Sequence, residues 1–120
     1  MAIRKVMVVD DSSTDLKNME QICTSAGYYV ITAVSGKEAV AKAKAERPDA
    51  VILDVVMPEM NGFQACRAIT TDADTKNIPV ILVSSKGEKT DKLWGQEQGA
   101  KGYVTKPFKS DDLLRELKAL

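Results

Sequence analysis

The sequence predicts an α/β fold in which a parallel sheet is covered by helices on both faces. Five short runs rich in β-branched residues alternate with stretches of 3.6-residue hydrophobic periodicity. This alternation is typical of doubly wound sheets built from strand–helix units. The third and fourth runs are almost continuously apolar, which indicates interior strands. The runs, in order, are KVMVV, YYVITAV, AVILD, PVILVSS and GYVTK.

The stretches between these strands carry helix signals. Gly27 ends the first helix, Ser35 with Glu38 predicts a capping box for the second, and Ser110 begins the last. The first and last helices each carry an apolar stripe, which we assign to the core. The stripe residues are Leu16, Met19, Ile22, Cys23 and Ala26 in the first helix and Leu113, Leu114, Leu117 and Leu120 in the last.

The composition of the chain limits its number of domains, its partners and its location in the cell. The 120 residues are 44% hydrophobic and 28% charged, which predicts one globular domain over residues 1–120 with an adequate core. Seventeen basic residues balance seventeen acidic ones without a basic run, which argues against a nucleic-acid or membrane-surface partner. The start of the chain resembles neither a signal peptide nor a membrane span, so we expect a cytoplasmic protein.

Cysteine and histidine content limits the available chemistry. Cys23 and Cys66 lie on apolar helix faces and are expected to be reduced core residues. The chain contains no His, which removes the usual general base and most transition-metal sites. Any chemistry must therefore use carboxylates, lysines and hydroxyl groups.

Polar residues stand at the carboxyl ends of four of the five predicted strands. They are Asp10 and Asp11 after the first strand, Asp54 at the third, Ser84 and Ser85 at the fourth, and Lys106 followed by Pro107 at the fifth. Each of them alone is a common cap or strand end. Open α/β sheets bind ligands at this edge, where the strand order reverses. Together the residues suit a phosphoryl group and a hard cation.

Three aspartates at one edge need a cation, because close carboxylates repel by about 4 kcal/mol per pair at an effective dielectric near 20. Oxygen ligands without His or usable Cys favour Mg²⁺. Asp54 ends the most buried strand and is the best candidate for a nucleophile that forms an aspartyl phosphate. Asp10 and Asp11 remain to hold the metal.

The chain resembles the receiver domains of two-component response regulators, in particular the stand-alone chemotaxis type, over essentially all of its length. The matching segments are VVDD (8–11), LDVVMPEMNG (53–62), VSS (83–85), GA (99–100) and YVTKPF (103–108). This resemblance implies a flavodoxin-like (βα)5 sandwich with strand order 2-1-3-4-5. It also implies a monomer whose only chemistry is Mg²⁺-dependent phosphorylation and dephosphorylation of itself.

Site roles follow from the resemblance, position by position. It implies Asp54 as phospho-acceptor, Asp11 and the main-chain carbonyl of Val56 as further Mg²⁺ ligands, and Asp10 as an indirect one. Lys106 would contact the phosphoryl group, before a cis peptide bond to Pro107. The switch residues would be Ser84 and Tyr103.

The segments 83–108 and 61–70 also resemble the PilH-type regulators of type IV pilus twitching motility. A chemotaxis-type histidine kinase would then be the phosphoryl donor, and an effector would bind the fourth helix, fifth strand and fifth helix. Trp94 shares a polar stripe in the predicted fourth helix, so its exposure stays open. If exposed, it would suit a partner surface together with Tyr103.

Other interpretations remain. The chain could serve a flagellar-type chemotaxis pathway, act as a phosphate sink, or bind partners without phosphorylation. An aspartate-nucleophile phosphatase shares the layout, but such enzymes typically carry a second acid where this chain has Val56. Flavin mononucleotide binding is disfavoured because no hydroxyl- and Gly-rich loop follows the first strand.

Overall fold

The computed structural model describes residues 2–120, which form five strands and five helices in strict alternation. The strands are β1 (Lys5–Val9), β2 (Tyr29–Ala33), β3 (Ala50–Asp54), β4 (Val80–Ser84) and β5 (Gly102–Thr105). The helices are α1 (Ser13–Ser25), α2 (Gly36–Glu46), α3 (Gly62–Thr71), α4 (Lys89–Glu97) and α5 (Ser110–Lys118). Among these helices, none combines the length and apolar character needed to cross a membrane.

The sheet is fully parallel, with strand order β2-β1-β3-β4-β5. The predicted fold class and strand order are confirmed. The chain runs outward from β1 to β2 and then returns to the other side of β1, so the order reverses between β1 and β3. A crevice therefore opens at the carboxyl ends of these two strands.

Alternate residues of each strand enter two separate cores, one on each face of the sheet. In β1, Met7 and Val9 face α2 and α3, whereas Val6 and Val8 face α1 and α5. Every residue of β3 and β4 is buried, as predicted for interior strands.

Both cysteines are free and buried, one in each core. Burial raises the pKa of the Cys23 thiol to about 11 and that of the Cys66 thiol to about 12. They are packing residues, as the sequence indicates.

Two stripe residues are not in the core. Ala26 and Leu120 are exposed because both lie beyond the ends of their helices, so the helical period no longer places them on the inner face. The capping box of α2 is also altered. The Ser35 hydroxyl accepts from Glu38 N at 3.1 Å, but the Glu38 carboxylate accepts from Val34 N, also at 3.1 Å, rather than from Ser35 N.

Candidate functional site

Three carboxylates meet at the crevice between β1 and β3. Asp10, Asp11 and Asp54 each offer one oxygen, and these three atoms lie within 4.8 Å of one another. The register brings Asp10 and Asp54 side by side, because Val9 pairs with Leu53 and an aspartate follows each of them; Asp11 is the next residue after Asp10. Asp10 and Asp54 are buried, whereas Asp11 is exposed.

Lys106 brings a cation to this cluster from the end of β5. Its Nζ lies 3.0 Å from Asp10 Oδ2, 3.0 Å from Asp54 Oδ1 and 2.9 Å from Asp15 Oδ2. The Lys106 backbone N–H donates to the Ser84 carbonyl at 2.8 Å, which fixes the start of this loop against β4. The following bond to Pro107 is cis.

Asp15 is a member of this site that the sequence reasoning missed. It lies in the first turn of α1, where Ser12 caps the helix by accepting from Asp15 N. An acid in a first turn is ordinarily explained by the helix dipole. The available signal was its place one helical turn after Asp11, because α1 begins directly beside the acidic pair.

Burial shifts the pKa values of Asp54 and Lys106 in opposite directions, yet the final pKa of each group is raised. Burial raises the pKa of Asp54 to about 6, although the hydrogen bond from Lys106 lowers it; the charges of Asp10 and Asp11 raise it further. Burial lowers the pKa of Lys106, but hydrogen bonds to Asp15, Asp10 and Asp54 outweigh this effect and raise it above its usual value. The ammonium therefore stays charged beside a carboxyl that ionises only near neutral pH.

The loop after Asp54 is tightly held. Val55 N donates to the Val83 carbonyl at 2.9 Å, and Gly62 N donates to the Val55 carbonyl at 2.8 Å. A Cβ at Gly62 would lie 2.2 Å from the Asp54 carbonyl oxygen, so only glycine fits there. The Val56 side chain, in contrast, is exposed at the surface of this loop.

Ser84 and Tyr103 both bind the backbone of Lys86. The buried Ser84 hydroxyl accepts from Lys86 N at 3.0 Å, and the Tyr103 hydroxyl donates to the Lys86 carbonyl at 2.5 Å. Tyr103 is half-buried, and burial raises its pKa. Lys86 precedes α4, so these two hydroxyl groups connect the site to the start of that helix.

The Trp94 side chain is exposed and does not lie in the core, a question that the sequence left open. It is 52% accessible and packs edge-on against Phe63, with ring centroids 6.5 Å apart and an interplanar angle of 76°. Leu93 beside it is also exposed. Helix α4 therefore presents two adjacent exposed apolar side chains. Phe108, which follows β5, is partly buried against the core cluster on the face of α1 and α5.

The chain is similar to known proteins across its length. The family model described as the response regulator receiver domain matches residues 6–118. Protein PilH of Pseudomonas aeruginosa is 44% identical over 97% of this chain and 96% of its own length. Protein PilG of the same organism is 40% identical over 96% of this chain and 85% of its own length.

Solved structures share the fold. The CheX–CheY–BeF3–Mg²⁺ complex from Borrelia burgdorferi contains a chain with a TM-score of 0.91 and 34% identity. The match covers 97% of the present chain and 87% of that one.

Proposed function

Because this chain belongs to the family of response regulator receiver domains, we propose that it takes a phosphoryl group from a histidine kinase on Asp54 and passes the signal to an effector. The family is not a catalytic family, and self-phosphorylation with self-dephosphorylation is the only chemistry in this proposal. The observation that carries the proposal is the buried Asp54 carboxylate, 3.0 Å from the Lys106 ammonium and within 4.8 Å of two further carboxylates.

The phosphoryl step uses Asp54 as the nucleophile. One carboxylate oxygen attacks the phosphorus while the bond from phosphorus to the leaving group breaks. The leaving group is the histidine nitrogen of the kinase or the acetate of acetyl phosphate. Asp54 must be ionised, and a pKa of about 6 leaves most molecules ionised at pH 7. Lys106 is placed to neutralise the incoming phosphoryl oxygens.

The acidic cluster fits a magnesium ion. Asp10 already accepts from Ser12 N and Lys106, so it suits an indirect role, whereas no ion pair within residues 2–120 occupies Asp11. We propose Asp11, Asp54 and the main-chain carbonyl of Val56 as the direct ligands. A bound Mg²⁺ would neutralise charge on the transferred group.

The switch would act through Ser84 and Tyr103. Both are bonded to the Lys86 backbone, so a new partner for the Ser84 hydroxyl would disturb the segment that leads into α4. The effector surface we propose is the face of α4, β5 and α5, with the exposed Trp94 and the half-buried Tyr103 as contact residues.

The pathway is proposed from the relatives. Similarity to PilH and PilG supports a chemotaxis-like system that controls type IV pilus twitching, with a chemotaxis-type histidine kinase as donor.

We propose that residues 1–120 act as one cytoplasmic, monomeric receiver unit without nucleic-acid or membrane contacts. A flagellar-type regulator and a phosphate sink are the alternatives, which phosphotransfer and effector pull-down assays run side by side would separate.

The test is incubation with acetyl phosphate and Mg²⁺, followed by intact-protein mass measurement. Wild type should gain the mass of one phosphoryl group, and the matched Asp54→Asn variant should not. A wild type that stays unmodified with both reagents present, or an equally modified variant, would refute the assignment of Asp54.

A further inference from the structure

Carboxylates surround the Lys106 ammonium, which donates hydrogen bonds to Asp10 Oδ2 and Asp15 Oδ2. A lysine ammonium has three N–H donors. Three carboxylate oxygens lie 2.9 to 3.0 Å from Nζ, one each from Asp10, Asp15 and Asp54. Two of the three N–H groups are therefore bound to Asp10 and Asp15, and release of either contact would give a phosphoryl oxygen on Asp54 a further donor from Lys106.

The three carboxylates differ in how easily they can be released. Asp10 is 1% exposed and is also held by Ser12 N at 2.9 Å, and Asp54 carries the phosphoryl group itself. The Asp15 side chain is 48% exposed, so water can replace Lys106 as its partner. An open cavity of about 380 Å³, lined by Asp15, Asn18, Ser85, Lys106 and Phe108 among others, leaves room for this movement.

We propose that Asp15 is a positioning residue that restrains Lys106 in the unphosphorylated protein and thereby slows phosphoryl transfer to Asp54. This inference rests on the proposed function. Asp15 draws the ammonium towards the solvent-exposed edge of the site and adds a fourth carboxylate to a region that must accept an anionic group. Its loss frees one N–H of Lys106 for the phosphoryl oxygens.

The substitution Asp15→Asn removes the charge and leaves the helix start intact. The capping bond uses Asp15 N and the Ser12 hydroxyl, neither of which belongs to the substituted side chain. Asp15→Glu retains the charge as the conservative variant. Asp111→Asn is a matched control, because Asp111 is an exposed acid in the first turn of α5 that has no ion pair in the described residues.

The experiment is a time course of phosphorylation by acetyl phosphate and Mg²⁺, read by intact mass. Since half-exposed ion pairs are weak, Asp15→Asn should accelerate the reaction by about two- to fivefold. Asp111→Asn should react at the wild-type rate, and Asp15→Glu, which keeps the charge, should react more slowly than Asp15→Asn. In a Lys106→Met background, Asp15→Asn should have no further effect, because its action passes through Lys106.

A second measurement needs neither metal nor phosphoryl donor. Urea unfolding of wild type, Asp15→Asn, Lys106→Met and the double variant should give non-additive losses, as expected for a direct contact. An Asp15→Asn rate equal to or below wild type, an acceleration that persists in Lys106→Met, or fully additive unfolding energies would each overturn the proposal. A wild type that takes no phosphoryl group would instead refute the proposed function.

Discussion

Lys106 and Asp54 form an ion pair of 3.0 Å that joins the ends of two strands that do not pair with each other. Asp54 ends β3 and Lys106 follows β5, with β4 between them. The lysine reaches across because its backbone N–H is bonded to the Ser84 carbonyl at the end of β4. The pair therefore links the carboxyl ends of β3 and β5 across β4.

Replacing Lys106 by Met should destabilise the metal-free protein. The carboxylates of Asp10 and Asp54 lose their shared cation, and we expect a loss of about 1–3 kcal/mol at pH 7, less than for a fully buried pair because Lys106 is partly exposed. Urea unfolding without divalent ions measures it. Lys101→Met, at an exposed position before β5, is the control, and an equal loss in both variants would contradict the assignment.

The raised pKa of Asp54 should make metal-free stability fall between about pH 4 and pH 7. The folded protein holds the Asp54 proton up to about pH 6, whereas the unfolded chain releases it near 3.8, so the folded state binds more protons in this interval. The stabilisation present at low pH, as much as about 3 kcal/mol, is lost as the pH rises through the folded pKa. Thermal melts at several pH values measure this slope.

Asp54→Asn is the control for this pH dependence, since an amide does not titrate. Asp49 and Asp72 have lowered pKa values, Asp49 because of hydrogen bonds from Lys5 N and Arg4 N and Asp72 because of one from Asp74 N. Their contributions are lost only below the ordinary pKa of an aspartate, outside the interval. The variant should therefore show a flat profile between pH 4 and pH 7. A slope unchanged from wild type would assign it to other groups.

The sequence predicts the fold well because periodicity and strand-end polarity are local signals. Asp10, Asp11, Asp54 and Lys106 were expected at one edge from the strand-end rule alone, and the structure brings them together.

The features that the sequence did not predict have particular causes. Asp15 was not predicted because an acid in the first turn of a helix is ordinarily explained by the helix dipole. The hydrogen bonds of Ser84 and Tyr103 to the Lys86 backbone were not predicted, because every residue has the same main-chain N–H and carbonyl groups and the sequence does not indicate which of them are used. Ala26 and Leu120 were misplaced because an apolar period continues past the residue where the helix ends.

Asp10 and Asp11 should respond oppositely to amide substitution in metal-free buffer. Asp11 is exposed and repels the other two acids, so Asp11→Asn should raise stability by up to about 1 kcal/mol. Asp10→Asn should lower stability, because the buried carboxylate pairs with Lys106 and accepts from Ser12 N. Thermal melts with and without Mg²⁺ test both. Destabilisation by Asp11→Asn without metal would make Asp11 a structural residue instead of a cation ligand.

Gly62→Ala should damage both the fold and the proposed Mg²⁺ site. The new Cβ would lie 2.2 Å from the Asp54 carbonyl oxygen and 2.7 Å from Val55 Cα, and neither backbone atom can move freely. We expect a loss of about 1–3 kcal/mol and weaker Mg²⁺ binding, because the loop after Asp54 must shift. Gly27→Ala is the control: its φ of +96° makes alanine strained, but the Cβ meets nothing within 4 Å. Titration calorimetry with Mg²⁺ should separate the two, and equal Mg²⁺ affinities would contradict the prediction.

Trp94 should report phosphorylation through its fluorescence. It is the one tryptophan of the chain, half-exposed on α4 and in edge-on contact with Phe63. The segment that precedes α4 is hydrogen-bonded at the Lys86 backbone to the Ser84 and Tyr103 hydroxyls. A new hydrogen-bond partner for Ser84 should therefore shift the position of α4. Acetyl phosphate with Mg²⁺ should therefore change the emission of wild type and leave Asp54→Asn unchanged. Phe63→Ala should shift the emission without any donor, because it removes the ring that shields Trp94. Phosphorylated wild type with unchanged emission would show that the environment of Trp94 does not respond to the chemistry at Asp54.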